Sequence, residues 1–213
     1  MDLIKRLMKN KQFVIFSILA LIVVLIAVFA PWIAAKNPYD AIMTDSLVPP
    51  GEKYMWGTDR LGRDMFSRII YGTRPSLIMT FTLVTVVFIM GTGFGILAGY
   101  FGGWIDAVIM RISDMMISFP GMVLAIAVAG LLGPNMINAV LAIALVSWPK
   151  YARLARSLVL KIKNNMYIEA AVVGGARTGK IIGRYLIPNM IPTMIVTATT
   201  DIGSMMLELT SLS

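Results

Sequence analysis

Residues 167–189 read Tyr167-Ile-Glu-Ala-Ala-Val-Val-Gly-Gly-Ala-Arg-Thr-Gly-Lys-Ile-Ile-Gly-Arg-Tyr-Leu-Ile-Pro-Asn189. This stretch lies between two apolar segments and is too polar to be one of them. Glu169, Ala170 and Ala171 are strong helix formers. Gly174 and Gly175 break that run, and a second, apolar and basic run follows with Lys180, Ile181, Ile182 and Arg184. Pro188 closes it at the mouth of the next apolar segment. The pattern predicts two short helices with a bend between them, on the face of a membrane. So small an element buries little surface alone, so it is expected to dock into something else.

Composition places that element in a membrane protein. Of 213 residues, 58% are hydrophobic and only 14% charged, against about a quarter charged in soluble domains. The mean hydropathy is +0.80. There is no Cys, which excludes a disulfide framework and thiol chemistry. There is also no His, which removes the commonest general base and metal ligand at neutral pH. The net charge of +8 raises nucleic acid as a partner. But the basic residues cluster beside apolar segments without interleaved aromatics, so a membrane-facing charge bias explains them better and no nucleic acid is expected.

Outward from the central stretch, five membrane spans are predicted. Residues 1–12 carry Lys5, Arg6, Lys9 and Lys11, and 13–30 are apolar apart from Ser17. A signal peptide ending near Ala34-Ala35 is the alternative, but its apolar core would run about 7–15 residues. The observed run is long enough to cross about 30 Å of hydrocarbon and reads as an uncleaved anchor. Residues 36–76 form a polar loop. Its Asp59, Arg60, Arg63 and Asp64 read as a self-paired surface loop, with a binding site as the competing reading.

The second span, 77–100, carries Gly91, Gly95 and Gly99, continued by Gly103. That four-residue spacing leaves one side-chain-free helix stripe for close packing. Gly91-x-Gly93-x-Gly95 imitates a nucleotide fingerprint, but an apolar 20-mer favours packing. Arg111 is placed to reach Asp114 at i+3. Spans three and four are expected over 115–132 and from 136 to 149, and the fifth over 187–211. The predicted fold is thus all-α, a polytopic transmembrane helix bundle. Residues 1–76 make an anchor helix plus external loop, and 77–213 a core with its cytoplasmic loop at 164–188. With the N-terminus in the cytoplasm, 13 of the 19 Lys and Arg fall on the inner side, in agreement with the positive-inside rule.

Thr197, Asp201, Ser204, Glu208 and Ser211 are spaced 4, 3, 4, 3 along the fifth span, which draws one polar stripe on a helix. Carboxylates inside a span usually face a bundle interior or a water-filled route. Two readings stand: the stripe lines a translocation path, or it packs on a polar partner helix. Met205 and Met206 lie between the acids, but methionine is more often plain packing and no metal site is assigned. One decoy overlaps the central stretch. Gly174-x-x-x-x-Gly179-Lys180 matches most of a phosphate-binding loop, but Ile181 stands where Ser or Thr must hold magnesium, and no strand pattern precedes it.

Glu169-Ala170-Ala171, three residues, Gly175, nine residues, then Tyr185-Leu186-Ile187-Pro188 resembles the cytoplasmic coupling loop of inner-membrane permeases of ATP-binding-cassette importers. Tyr185 departs from the usual aliphatic residue. The resemblance implies that Glu169, Ala170, Ala171, Gly175 and Pro188 form the element that inserts into a cleft of an ATPase subunit. It also implies a second permease subunit and an extracytoplasmic solute-binding protein, with ATP and Mg held by the ATPase and no cofactor in this chain. Gly57-Thr-Asp-x-x-Gly-Arg-Asp64 resembles the dipeptide, oligopeptide and nickel branch, and Asp201-Ile-Gly-Ser-Met-Met-Leu207 the nickel permeases. Family members have a sixth span, so the chain is expected to be a piece of a longer one.

The expected function is ATP-driven import by alternating access across a bacterial inner membrane. The expected cargo is nickel, for which Asp201 and Glu208 would be the strong ligands, with small peptides as the alternative. A nucleotide-binding enzyme and an ATPase-independent channel are the alternatives of other classes.

Overall fold

Asn10 starts the first helix, its Oδ1 accepting from the backbone N–H of Gln12 at 3.0 Å and of Phe13 at 3.4 Å. This side-chain cap satisfies donors that a helix start leaves free. The structure is a computed structural model that describes residues 9–212. Lys5 and Arg6, part of the predicted inner charge bias, lie outside the described residues, as does Ser213. Among the described residues the chain is helical, with no strand beyond one isolated bridge between Thr58 and Asp64. Packing divides it into two units, Met1–Ile78 and Met79–Ser213.

In the first unit, α1 (Lys11–Ile33) buries only Ala27 and Ala30. A helix apolar on every side with so little buried suits a lipid environment. The loop after it is held by named polar contacts. Asp45 Oδ2 accepts from Lys53 Nζ and Tyr54 Oη, both at 2.6 Å. Lys36 Nζ lies 3.5 Å from the Tyr54 ring centroid and donates to the Lys53 carbonyl at 2.7 Å. Asp59 accepts from the backbone N–H of Leu61 and Arg63 and from the side chains of Arg63 and Arg68. Of the four charged residues expected to pair among themselves, Asp59 and Arg63 do, joined by Arg68 from the following helix; among the described residues Arg60 and Asp64 join no ion pair, and Asp64 instead takes a backbone N–H. Gly62, at φ +73°, sits where an added Cβ would come within 1.8 Å of the Ile42 carbonyl oxygen, so the turn admits only glycine. Asp64 then caps α2 (Met65–Phe101), taking the Ser67 N–H at 2.9 Å.

The second unit holds the rest of α2, then α3 (Gly103–Ser118), α4 (Gly121–Leu132), α5 (Met136–Lys163), α6 (Met166–Val173), α7 (Thr178–Ile181), a π-turn (Ile182–Leu186) and α8 (Ile187–Leu212). Its core gathers Leu83, Val87, Ile143, Tyr151, Met190 and Met194 around α5. Charged side chains fasten α3 to α5: Arg156 forks onto both oxygens of Asp106, and Arg153 reaches Asp114 at 2.5 Å. Asp114 is therefore taken by Arg153 from a distant helix, not by Arg111 one turn away as the local spacing predicted.

Five straight spans are not what the structure presents. Among the described residues three helices are long and apolar enough to cross a membrane: Lys11–Ile33, Met65–Phe101 and Thr178–Leu212. A fourth span arises only if α3 and α4 count as one element, and they bend by 94° where they meet. The expected third span, 115–132, thus straddles a sharp corner at Phe119-Pro120. The residue before a proline is pushed out of the helical region, and Phe119 is extended at φ −92°, ψ 146°. The expected fourth span is the first half of α5. Its second half carries Lys150, Arg153, Arg156, Lys161 and Lys163, too many charges for one continuous apolar crossing.

Candidate functional site

The glycine stripe of α2 meets α5. A Cβ at Gly91 would stand 2.4 Å from Tyr151 Cβ, and one at Gly95 2.5 Å from both the Ala152 carbonyl oxygen and Ala155 Cβ. At Gly99 it would stand 2.8 Å from Val159 Cβ. The approach is so close that no side chain fits on the α2 side at these three positions, and Ala152 and Ala155 are small residues facing them from α5. Gly103 is not part of this contact. It follows the break at Gly102, has φ +53°, and no heavy atom lies within 4 Å of its Cβ position. Lys163 Nζ closes the end of the crossing by donating to the Tyr100 carbonyl at 2.7 Å, an orphan acceptor of the last turn of α2.

Residues 167–189 fold as two short helices and a turn that lead into α8. Glu169 sits exposed in the first turn of α6, where a negative charge suits the helix dipole. Ala170 is exposed and Ala171 half-buried. Gly175 carries the bend at φ +78°, a left-handed conformation that side chains other than glycine enter at a cost. Met166 and Val173 are 83% and 89% exposed, so this tip presents apolar surface with nothing packed on it. On the other side of the turn Ile181 and Leu186 are buried in the core. Among the described residues no β-strand precedes Gly174, so the strand–loop–helix arrangement of a phosphate loop is not formed there.

From α7 the chain passes into α8 without leaving helical structure, through the π-turn. The Ile187 N–H bonds the Ile182 carbonyl five residues back. Pro188 and Pro192 follow and have no N–H, so the carbonyls four residues earlier lose their usual donors. Single π-turns are frequent at functional sites, and this one joins the exposed tip to the helix that carries the polar stripe.

On α8 the stripe lies along one shoulder of the buried face. Asp201 is buried beside Met194, Met205 and Leu209, while Thr197 and Glu208 are half-buried and Ser204 is exposed. Asp201 does not stand free. Lys150 Nζ contacts its Oδ1 at 2.7 Å and Oδ2 at 2.8 Å, and Tyr151 Oη donates to Oδ2 at 3.0 Å. Residue spacing on α8 alone did not reveal this clamp, because its other half is fifty residues away; the signal available was Lys150 itself, a cation directly after Pro149 in an apolar run. Among the described residues no three His, Cys, Asp or Glu side chains gather to hold a metal ion.

A helical membrane bundle with a close glycine crossing, a buried charge clamp and a projecting two-helix tip has the makings of a transport subunit. The chain belongs to the family of binding-protein-dependent transport system inner membrane components, whose pattern matches residues 91–213. Residues 1–50 match the N-terminal transmembrane domain of oligopeptide transport permease C, which puts the chain in the peptide-permease branch. It is 41% identical over 98% of its length to the dipeptide transport system permease protein DppC of Alkalihalophilus pseudofirmus, covering 68% of that protein. It is 39% identical over 90% of its length to the probable D,D-dipeptide transport system permease protein DdpC of Escherichia coli, covering 64% of it. It is 41% identical over 91% of its length to the glutathione transport system permease protein GsiD of Pectobacterium atrosepticum, covering 65% of it. The chain thus spans about two thirds of the length of these relatives. Membership in a family of permease subunits removes the nucleotide-binding enzyme from consideration.

Proposed function

We propose that this chain is the permease subunit of an ATP-driven importer of small peptides in the bacterial inner membrane, with its N-terminus in the cytoplasm. The observation that carries the proposal is the tip at Met166–Val173. It projects exposed apolar side chains, turns at Gly175, and continues through a π-turn into α8. A separate ATPase dimer binds ATP and Mg and receives this tip. A second permease subunit completes the pathway and a solute-binding protein delivers the cargo from outside. Closure of the ATPase moves the segment Glu169 to Pro188, and α8 moves with it, so the pathway changes its open side.

Peptide is preferred to nickel. The relatives are named for dipeptides and glutathione, which gives the nickel expectation no support. Asp201, the expected metal ligand, is occupied by Lys150 and Tyr151.

The experiment is uptake in cells that carry the complete transporter. Glu169→Lys reverses the charge at the tip, and Gly175→Trp forces a side chain into a left-handed bend. Both are expected to abolish ATP-driven peptide uptake with the subunit still in the membrane at normal level. Normal uptake by both variants refutes the coupling role.

A further inference from the structure

The clamp on α8 has an open side. Lys150 keeps 61% of its side chain exposed, while Asp201 exposes only 10%. An ammonium has three donors, and the two Asp201 oxygens occupy one side of it. Asp201 lies in the middle of α8, within a helix long and apolar enough to cross a membrane, so the ion pair draws Lys150 toward the depth of that span and away from the inner face where the sequence pattern puts it. An exposed charge facing hydrocarbon there is costly, so this side of α5 is expected to face water or another polar surface.

Glu208 lies seven residues beyond Asp201 on the same side of α8, about 10 Å along the axis. It is half-buried, and among the described residues its carboxylate accepts no hydrogen bond and joins no ion pair. An ammonium that keeps an exposed face beside Asp201 and a carboxylate with no hydrogen bond of its own among the described residues thus lie on one flank of the α5–α8 pair, with Asp201 and Glu208 two helical turns apart.

We infer that Lys150 and Glu208 form a two-point station for a zwitterionic peptide, Lys150 taking the terminal carboxylate and Glu208 the terminal ammonium. The inference rests on the peptide reading of the cargo. Asp201 and Tyr151 are positioning residues: they hold the Lys150 ammonium against α8 and leave its outer face open. The polar side chains between the two points, Ser204 among them, are short and leave room for varied peptide side chains. Both contacts are charge-assisted, so each is strong enough to matter. Both are also partly solvated, so the cargo is not held too tightly to leave.

The test uses the complete transporter in proteoliposomes with its ATPase and binding protein, and labelled alanyl-alanine as the probe. Glu208→Gln is nearly isosteric and breaks no hydrogen bond within the subunit, so folding is not at issue. It is expected to reduce uptake about ten-fold, and Lys150→Met by a similar factor. The exchange Lys150→Asp with Asp201→Lys separates structure from recognition. It restores an ion pair between α5 and α8 but moves the ammonium to the buried position. Uptake is expected to stay low in the exchanged variant although subunit assembly returns. Full uptake by Glu208→Gln, or recovery of uptake by the exchange, overturns the station and leaves the clamp purely structural. Absence of alanyl-alanine uptake by the unmodified transporter overturns the peptide reading, and the station with it.

Discussion

Gly95→Ala is the sharpest perturbation of the α2–α5 crossing. The added Cβ would lie 2.5 Å from the Ala152 carbonyl oxygen and 2.5 Å from Ala155 Cβ, where ordinary contact is 3.4–4 Å. One neighbour is backbone, so no side-chain rotation relieves the clash and the helices must part by about 1 Å. A gap of that size forfeits about a quarter to a half of each dispersion contact along the crossing, and overpacking of this kind costs about 1–3 kcal/mol. In a membrane, packing is most of what holds helices together, so the loss is not offset elsewhere. For a chain of this size about 2 kcal/mol corresponds to a fall in Tm of about 4–8 °C. The assay is thermal unfolding of the purified subunit in detergent, with Gly93→Ala as the control. Gly93 has no heavy atom within 4 Å of its Cβ position, so alanine there is expected to be neutral or to gain up to about 1 kcal/mol from helix propensity. Equal Tm values for the two variants would refute the close crossing.

Three further outcomes follow from other parts of the molecule. Gly62→Ala should loosen the loop between α1 and α2 by about 1–3 kcal/mol, since the position is left-handed and abuts the Ile42 carbonyl; faster tryptic cleavage at the exposed Arg60 is the readout, and unchanged cleavage contradicts it. Burial acts to raise the Asp59 carboxyl, but hydrogen bonds from Arg63 and Leu61 and the Arg63 charge outweigh it and hold the group well below the usual carboxylate range. A depressed carboxyl supports the fold in full above its unfolded value near 4 and loses that support as pH falls below it; loop unfolding, followed by fluorescence in a variant with Trp56 as its sole tryptophan, should begin below about pH 4 and be much less pH-dependent in Asp59→Asn. Deleting Gly183 should convert the π-turn to ordinary α-helix while keeping the flanking registers, with uptake falling at least about ten-fold although the subunit still inserts; undiminished uptake excludes the π-turn as the link between tip and α8.

Local patterns made most of the helices legible. The apolar run after Asn10, the four-residue glycine spacing and the paired glycines at 174–175 each act over a few residues, and each marks a feature the structure contains. What was not legible depends on distance or on a conflict of signals. The 94° corner between α3 and α4 is a Phe119-Pro120 boundary, where a continuous apolar run masked a stop. The far end of the glycine stripe failed because Gly103 follows a break in α2 and not a further turn of it. In the same way Asp114 and Asp201 find their cations on α5, 39 and 51 residues away. Periodicity marks which face of a helix is polar but does not name what meets it. That is why a stripe on α8 was readable and the Lys150 clamp on it was not.

Import of peptide by this subunit is tested most directly by cargo uptake in proteoliposomes that hold the complete transporter, with binding protein outside and ATP supplied to the ATPase side. Labelled dipeptide is expected to accumulate only with ATP, and Glu169→Lys in this chain is expected to abolish that accumulation. Accumulation of nickel without dipeptide, or dipeptide entry that persists without ATP, would contradict it.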